Sequence, residues 1–337
     1  MRHIIVKTLQ DADVQPYVNE IHVEWKKVKL PEEFNGAKEK LNAFIKEQLL
    51  FFKRIGYAQR MHFPYIRRQE LLQLQIQLRE NMMKYGSTKP SLYHAVSKAA
   101  ALLKVSHAVT LLESQGLHAL YDYLNKLLEE SRKSGASKAA KLIYENPGIR
   151  HVFLETKGHI EKGELEHPKI QALTEILTKQ FAQNPESRVL VFNHYRDSVT
   201  HVTEALNAIP QIKAARFIGQ ATKSERDKGL SQKQQIALLE EFRDGTYNTL
   251  VASSVAEEGL DIPSVDLVVF YEPVPSEIRL IQRRGRTGRK NAGKVIILMA
   301  EKTMDEAMYW ASKRKEKNMH ETLRRLSAIP TTHPIPT

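Results

Sequence analysis

The sequence predicts an α/β fold in which a domain built on a parallel sheet is preceded by an all-helical domain. After residue 149, strands and helices alternate, and the strands are nearly continuous apolar runs, as in sheets buried on both faces. From about residue 34 to 144, the apolar residues instead recur at helical spacing. The length of 337 residues suits two or three domains.

The composition excludes several classes of function. With 42% hydrophobic and 27% charged residues, the chain can form a sizeable core. It has no cysteine, which removes disulfides, thiol catalysis and thiolate metal sites. The formal net charge of +12 favours a polyanionic partner such as nucleic acid. No apolar run is long enough to span a bilayer. We therefore expect no membrane partner and a cytoplasmic protein, associated with the nucleoid in a prokaryote.

The first 30 residues predict one strand. Apolar and polar residues alternate from Ile21 to Trp25, and Pro31 ends the run. A segment this short cannot bury a core of its own, so we expect it to join a neighbouring domain.

The helical region shows three apolar stripes with i, i+3, i+4, i+7 spacing. The first two belong to separate helices, whereas the third fits either one long helix or two. Their members are Leu41, Phe44, Ile45, Gln48, Leu49 and Phe52; Leu71, Leu74, Leu78 and Met82; and Leu92, Leu102, Val109, Leu124 and Leu128.

The α/β region predicts five strands, with helices between and around them. The strands are residues 188–192, 214–218, 249–253, 267–271 and 294–299. The helices are residues 168–183, 198–208, 232–243, 277–284 and, with many charges, 304–326. Residues 331–337 are expected to be frayed.

The strongest chemical signal is an arginine cluster at residues 282–289, Gln-Arg-Arg-Gly-Arg-Thr-Gly-Arg. Arginine forks bind phosphate oxygens bidentately, and the glycines let the backbone turn so that Arg286 and Arg289 can point the same way. Arginines directed at a γ-phosphate are what phosphoryl transfer requires. The competing interpretation, a plain basic loop, is disfavoured by the ordered glycine spacing.

A second signal follows a predicted strand at residues 252–263. Ser253 and Ser254 lie where that strand ends, at the sheet edge at which open α/β folds bind ligands. Both hydroxyls can donate to phosphate, Gly259 permits close backbone approach, and Asp261 can accept from a ribose hydroxyl. Alone this pattern is also a good connecting turn, but ahead of the arginine cluster it favours a nucleotide and nucleic-acid site.

Together these segments resemble motifs V and VI of superfamily 2 helicases and translocases, and residues 189–196 are similar to motif IV. Residues 217–220, 229–235 and 270–276 resemble the archaeal Hef and eukaryotic FANCM branch, which carries a helical insertion between two RecA-like domains. The resemblance divides the chain into four parts. Residues 1–30 are the end of the first RecA-like domain or a connecting strand, 31–155 the insertion, 156–330 the second RecA-like domain, and 331–337 a tail.

The resemblance also implies roles for residues. Gln282, Arg286 and Arg289 would face the γ-phosphate of ATP, and Gly259 and Asp261 would contact the nucleotide. A third set would lie near the nucleic-acid backbone: Asn193, Tyr195, Arg196, Gln220, Gln232, Ser253 and Ser254. ATP and Mg²⁺ would be held mainly by the first RecA-like domain, and no metal site is expected among the scattered histidines of this chain.

Two motifs of a complete motor are not found in the sequence. The P-loop sequence Gly-x-x-x-x-Gly-Lys-Ser/Thr does not occur. Residues 158–163 have its two glycines at the right spacing, but the next residue is Glu164 and not lysine. Asp305-Glu306-Ala307-Met308 resembles a Walker B box but follows a polar segment, so we interpret it as the acidic start of a helix.

We therefore expect part of an ATP-dependent DNA helicase that acts on branched or forked DNA in repair. It would be inactive alone and would work with a P-loop RecA-like domain. Three alternatives stay open: a non-enzymatic nucleic-acid-binding module, an RNA-directed motor similar to Dicer or RIG-I, and a purely protein-binding scaffold.

Overall fold

The computed structural model describes residues 21–64, 66–85, 88–89, 91–163, 165–220, 229–253, 263–273 and 293–327. The chain divides into two compact units. Residues 30–168 form the helical unit, and residues 1–29 together with 169–337 form the sheet unit. The predicted boundary at residues 155/156 falls inside the helix Pro147–Lys162, and the two units divide after Pro168, six residues beyond the end of that helix.

The helical unit is a bundle built around one central helix. Its helices are α1 (Glu33–Arg54), α2 (Arg68–Tyr85), α3 (Ser91–Gln115), α4 (Leu117–Arg132), α5 (Lys138–Glu145) and α6 (Pro147–Lys162). The apolar stripe of α1 is buried as its spacing predicts, and α3 packs against α1, α2, α4 and α5. By length and composition α3 could cross a membrane, yet here it supplies the middle of the bundle core.

Gly116 separates α3 from α4, which decides between one helix and two for the third stripe. Its φ of +96° is in the left-handed region that favours glycine. A side chain there would also have no room, because a Cβ atom would lie 2.9 Å from Cβ of His167. The apolar stripe therefore continues from α3 into α4, and its periodicity alone does not reveal that one helix ends and another begins at Gly116.

The sheet unit contains six parallel strands in the order β1-β6-β5-β2-β4-β3. They are β1 (Ile21–Val28), β2 (Val189–Asn193), β3 (Ala214–Phe217), β4 (Thr249–Ser253), β5 (Leu267–Phe270) and β6 (Gly293–Ala300). The helices are α7 (Pro168–Gln183), α8 (Arg196–Asn207), α9 (Gln232–Asp244) and α10 (Met304–Ser327). Alternate residues of the central strands enter two separate apolar clusters, one on each face, which confirms the predicted doubly buried parallel sheet.

Strand β1 joins this sheet although about 140 residues separate it from α7. It pairs in parallel with β6 over its whole length, from Ile21 beside Gly293 to Val28 beside Ala300. Trp25 packs its ring edge-on against Tyr309 of α10, with ring centroids 4.3 Å apart. The early strand thus completes the sheet unit.

The acidic start of α10 has a structural role. Asp305 is 1% exposed, and one carboxylate oxygen lies 2.5 Å from Nζ of the fully buried Lys169. The same oxygen accepts a hydrogen bond from the backbone N–H of Ala300 at 3.1 Å. The pair joins the starts of α7 and α10 to the end of β6, so Asp305 is fixed as part of the core.

Candidate nucleic-acid interface

The carboxyl ends of β2, β4 and β3 are neighbours at one edge of the sheet, because all three strands run parallel in that order. Asn193 ends β2, Ser253 ends β4, and the two residues are direct partners in the register. Neighbouring strands lie about 4.8 Å apart. The structure therefore brings together two of the predicted nucleic-acid residues that are 60 positions apart in the sequence.

Asn193 shapes the loop that follows β2. The side chain is buried, and Oδ1 accepts a hydrogen bond from the backbone N–H of Tyr195 at 2.8 Å, the local turn that asparagine favours. Tyr195 then caps α8 with extended backbone geometry. This turn leaves His194 exposed and Tyr195 half-buried, whereas Arg196 is only 9% exposed. Of the loop residues, His194 and Tyr195 are the ones that offer surface to a ligand.

Glu272 holds the same loop from the neighbouring strand. The backbone N–H of Tyr271 donates to the carbonyl of Phe192 at 2.8 Å, which extends the β5–β2 ladder by one residue. The Glu272 carboxylate, 5% exposed, accepts a hydrogen bond from the backbone N–H of His194. Sequence reasoning did not select Glu272 or His194. The available signal was a carboxylate placed directly after an apolar strand.

Ser253 contributes a buried hydroxyl to this edge. The residue is 1% exposed, and within the part of the chain that the structure describes its Oγ has no hydrogen-bond partner. A buried hydroxyl without a partner costs about 1–3 kcal/mol. A ligand oxygen reaching this end of β4 would recover that cost, and phosphate is well suited because it only accepts hydrogen bonds.

Gln220 and Gln232 extend the edge beyond β3. Both side chains are exposed, Gln220 after the strand and Gln232 as the first residue of α9. Gln235 is the residue that anchors the helix, because its Nε2 donates to the carbonyl of Ile218 at 2.9 Å. Gly229 lies so close to the backbone of Gln220 that a Cβ atom would overlap it. The two glutamines are therefore held near the end of β3 by neighbours rather than by their own contacts.

The remaining predicted site residues lie outside the described residues. They are Ser254, Gly259, Asp261, Gln282, Arg286 and Arg289, and the helix expected at residues 277–284 is among the same segments. Their roles stay predictions.

The perturbed titrating groups that the structure describes belong to the helical unit and tie three helices together. Burial, with a contribution from the negative charge of Glu130, raises the pKa of Tyr123 well above its usual range. A hydrogen bond from Lys104, followed by one from Ser137, lowers the pKa of Glu130. Both contacts to Glu130 are 2.6 Å long. This cluster stabilises the bundle and offers no reactive group.

Two families match the chain. Residues 168–291 match the family described as "Helicase conserved C-terminal domain". Residues 33–159 match the family described as "Putative ATP-dependent RNA helicase, helical bundle". The two matches fall on the sheet unit and the helical unit respectively.

Relatives match across both units. An "ATP-dependent DNA helicase mph1" of Neurospora crassa is 38% identical over 213 residues, or 61% of this chain and 18% of the relative. A "DEAD-box ATP-dependent RNA helicase FANCM" of Arabidopsis thaliana is 36% identical over 299 residues, or 86% of this chain and 21% of the relative. The chain spans between 17% and 39% of the length of the curated relatives that it matches.

A solved structure has the same arrangement of elements. The Pyrococcus furiosus Hef helicase domain aligns with a TM-score of 0.73 at 40% identity, covering 93% of this chain and 62% of that chain. At 40% identity the likeness is one of sequence as well as of fold.

Proposed function

This chain belongs to the Hef/FANCM family of helicases, of which it carries the helical bundle and the C-terminal helicase domain, and from that premise we propose that it is part of an ATP-dependent motor that translocates on branched or forked DNA. The RecA-like fold of the sheet unit is that of the family. The specific reaction and the DNA structure are our proposal.

One observation carries the proposal: Asn193 and Ser253 end adjacent strands in register, and the buried Ser253 hydroxyl has no partner among the described residues. With exposed His194 beside them and Gln220 beyond β3, they form a short row of polar groups at the sheet edge. Such a row suits the phosphates of a single strand, which need donors at a repeated spacing and no base-specific contacts.

ATP would bind at a site distinct from this polar row and would be held by other residues of the chain. By the family resemblance, Gln282, Arg286 and Arg289 would reach the γ-phosphate of ATP, with Gly259 and Asp261 on the nucleoside side. Arginine fingers of this kind stabilise the charge that develops during phosphoryl transfer. A P-loop domain would supply the lysine and the acidic Mg²⁺ ligand. The ATP site would then form between two domains, and this chain would contribute its arginine fingers.

Joining the chain to a P-loop RecA-like domain tests the proposal. We expect ATP hydrolysis that forked DNA stimulates, and about 10³-fold slower turnover for Arg289→Ala with DNA affinity unchanged. Arg243→Ala is the matched control, because Arg243 is exposed near the end of α9 and belongs to no predicted site. Robust hydrolysis by this chain alone, or full activity of the Arg289 variant, would refute the proposal.

An RNA-directed motor is the second candidate, favoured by the RNA helicase names of one family and two relatives. Competition between forked DNA and double-stranded RNA for the joined protein, at one fixed salt concentration, separates the two. Preference for the forked DNA supports the first candidate, and preference for the RNA supports the second.

A further inference from the structure

An ordered row of aromatic rings connects the edge strand of the sheet to the surface of α10. Trp25 of β1 packs edge-on against Tyr309, and Tyr309 packs against Trp310 with ring centroids 4.9 Å apart. Trp25 contacts the core cluster on this face of the sheet. Trp310 ends the row and is 54% exposed. The Trp310 ring is therefore fixed by its contact with Tyr309 while the rest of its surface faces solvent.

Cationic side chains follow Trp310 along the same face of α10. Lys313, Arg314 and Lys317 stand three, four and seven positions after it, which are the spacings of one helical face. All three are exposed, and their Cα atoms rise about 4.5, 6 and 10.5 Å along the axis from Trp310. Among the side chains that the structure describes, Lys317 makes one ion-pair contact, a long one of 4.0 Å with Glu321. The face thus offers one ring followed by a line of positive charge.

The acidic residues at the start of α10 do not offset this charge. Asp305 is buried in its pair with Lys169. Glu306 accepts a hydrogen bond from the backbone N–H of Lys302 at 2.8 Å, which directs its carboxylate towards the beginning of the helix. Between Trp310 and Lys317, positive charge therefore dominates the described side chains.

This surface is separate from the row at the ends of β2 and β4. β1 is three strands away from β2 in the sheet, or about 14 Å at the usual strand spacing. The cationic residues lie on α10, which begins at the carboxyl end of β6, so both surfaces belong to the same unit.

We propose that this face of α10 is a second contact for single-stranded nucleic acid, with one base stacked on Trp310 and the adjoining phosphates bound by Arg314 and Lys317. Base stacking on an aromatic ring combined with a cationic track is how proteins bind single strands without reading sequence. Buried centres of protein–protein interfaces are instead depleted in lysine, which makes a protein partner the poorer match. The contact extends the nucleic-acid path of the proposed motor and needs neither ATP nor a P-loop domain.

Tryptophan fluorescence tests the stacking directly, because Trp25 and Trp310 are the two tryptophans of the chain. In Trp25→Phe, Trp310 is the sole indole, and we expect titration with a 20-nucleotide oligothymidylate to quench its emission. An oligouridylate of equal length tests whether the sugar matters. Trp310→Ala should weaken binding of the labelled oligothymidylate about 5- to 100-fold. Ile236→Ala, which removes another exposed apolar side chain of the sheet unit, should leave affinity unchanged.

Salt dependence tests the phosphate contacts. Replacing both Arg314 and Lys317 by alanine should lower the slope of log affinity against log salt by about 1.4, since each phosphate contact on a single strand contributes about 0.7. Lys179→Ala, which removes an exposed cation of α7, is the control and should leave the slope unchanged.

Each result decides for or against the second contact. A salt-sensitive quench that disappears in the Arg314/Lys317 double variant supports it. Binding of the labelled strand with no change in Trp310 emission overturns it, as does absence of binding or a change in emission caused only by joining the P-loop domain. A different result would refute the motor proposal alone: the joined protein would show no DNA-stimulated ATP hydrolysis, while the oligonucleotide would still quench Trp310 emission.

Discussion

Each unit contains an ion pair between residues distant in the sequence, and the two pairs differ in their burial. In the helical unit the ion pair between Lys104 and Glu130 lies at the surface, with 28% and 39% of the side chains exposed. In the sheet unit the pair between Lys169 and Asp305 is wholly inside the core. Surface pairs contribute little to stability, whereas breaking a buried pair leaves an uncompensated charge in the interior. The comparison teaches that an ion pair matters for stability according to its burial, so the Lys169–Asp305 pair of the sheet unit should be far harder to replace than the Lys104–Glu130 pair of the bundle.

Breaking the buried pair should have the largest effect on stability. Lys169→Ala leaves the Asp305 carboxylate buried without its cation, so we expect the sheet unit to lose about 3–5 kcal/mol of unfolding free energy. Both tryptophans lie in the sheet unit, so denaturant unfolding followed by their fluorescence reports on that unit. The matched change in the other unit, Lys104→Ala, should cost less than about 1 kcal/mol when unfolding of the bundle is followed by its helical circular dichroism.

A double variant sharpens this first prediction. Replacing Lys169 by methionine and Asp305 by leucine together removes both charges and should restore most of the lost stability. If Lys169→Ala and Lys104→Ala cost the same, the contrast between the units is wrong. If the double variant stays as unstable as Lys169→Ala, shape and not charge accounts for the loss.

Glu272 should have the next largest effect, this time on binding. In Glu272→Ala the backbone N–H of His194 loses its acceptor, so the loop after β2 is no longer held in the geometry that exposes His194 and Tyr195. Hydrogen bonds to charged groups contribute about 1.5–3 kcal/mol, so we expect affinity for a single-stranded oligonucleotide to fall about tenfold or more.

The conservative variant distinguishes positioning from charge at residue 272. Glu272→Gln keeps an oxygen that can accept from His194, and should restore most of the affinity. Protection of the His194 amide from hydrogen exchange should fall in the alanine variant and return in the glutamine variant. Equal loss of affinity in both variants would contradict the positioning role.

Local sequence patterns predicted most of the fold and part of the site. Strand and helix periodicity predicted the parallel sheet, and parallel strands bring their carboxyl ends to one edge. This is why Asn193 and Ser253 could be expected near each other from their positions after apolar runs. The helical stripes likewise predicted the buried face of α1.

The contacts that sequence reasoning missed join residues far apart in the chain. Glu272 and His194 are 78 positions apart, and β1 pairs with a strand more than 260 residues later. No periodicity relates such residues, because their proximity depends on the strand order of the folded sheet. The break at Gly116 was left open between one helix and two for a different reason, since the apolar spacing of α3 and α4 continues across it.

Three buried hydroxyls have no partner among the described residues, those of Thr156, Ser198 and Ser253, and the first and last of them allow a further comparison of the units. Thr156 lies in α6 of the helical unit, and Ser253 ends β4 at the sheet edge. Removing an unpaired buried hydroxyl also removes its desolvation cost, so the folded state should be as stable as before or more stable. We expect Ser253→Ala and Thr156→Val to leave the unfolding free energies unchanged or higher, while only Ser253→Ala weakens oligonucleotide binding, by about three- to tenfold. Equal affinity in both variants would mean that the Ser253 hydroxyl meets no ligand.

The smallest expected effect concerns pH and the surface pair of the helical unit. Hydrogen bonds from Lys104 and Ser137 lower the pKa of Glu130, so the folded state favours its ionised form. The stabilisation is therefore fully present above the ordinary carboxyl pKa and is lost as the pH falls through the lowered value of the folded state. Because the carboxylate is more than one third exposed, we expect the contribution to stay below about 1 kcal/mol.

Glu130→Gln should lower the unfolding free energy by the same amount at neutral pH. The difference in unfolding free energy between this variant and the native chain should vanish in acid. Glu39→Gln, at an exposed carboxylate outside this cluster, is the control, and an equal pH dependence in both variants would show that the contacts of Glu130 contribute nothing.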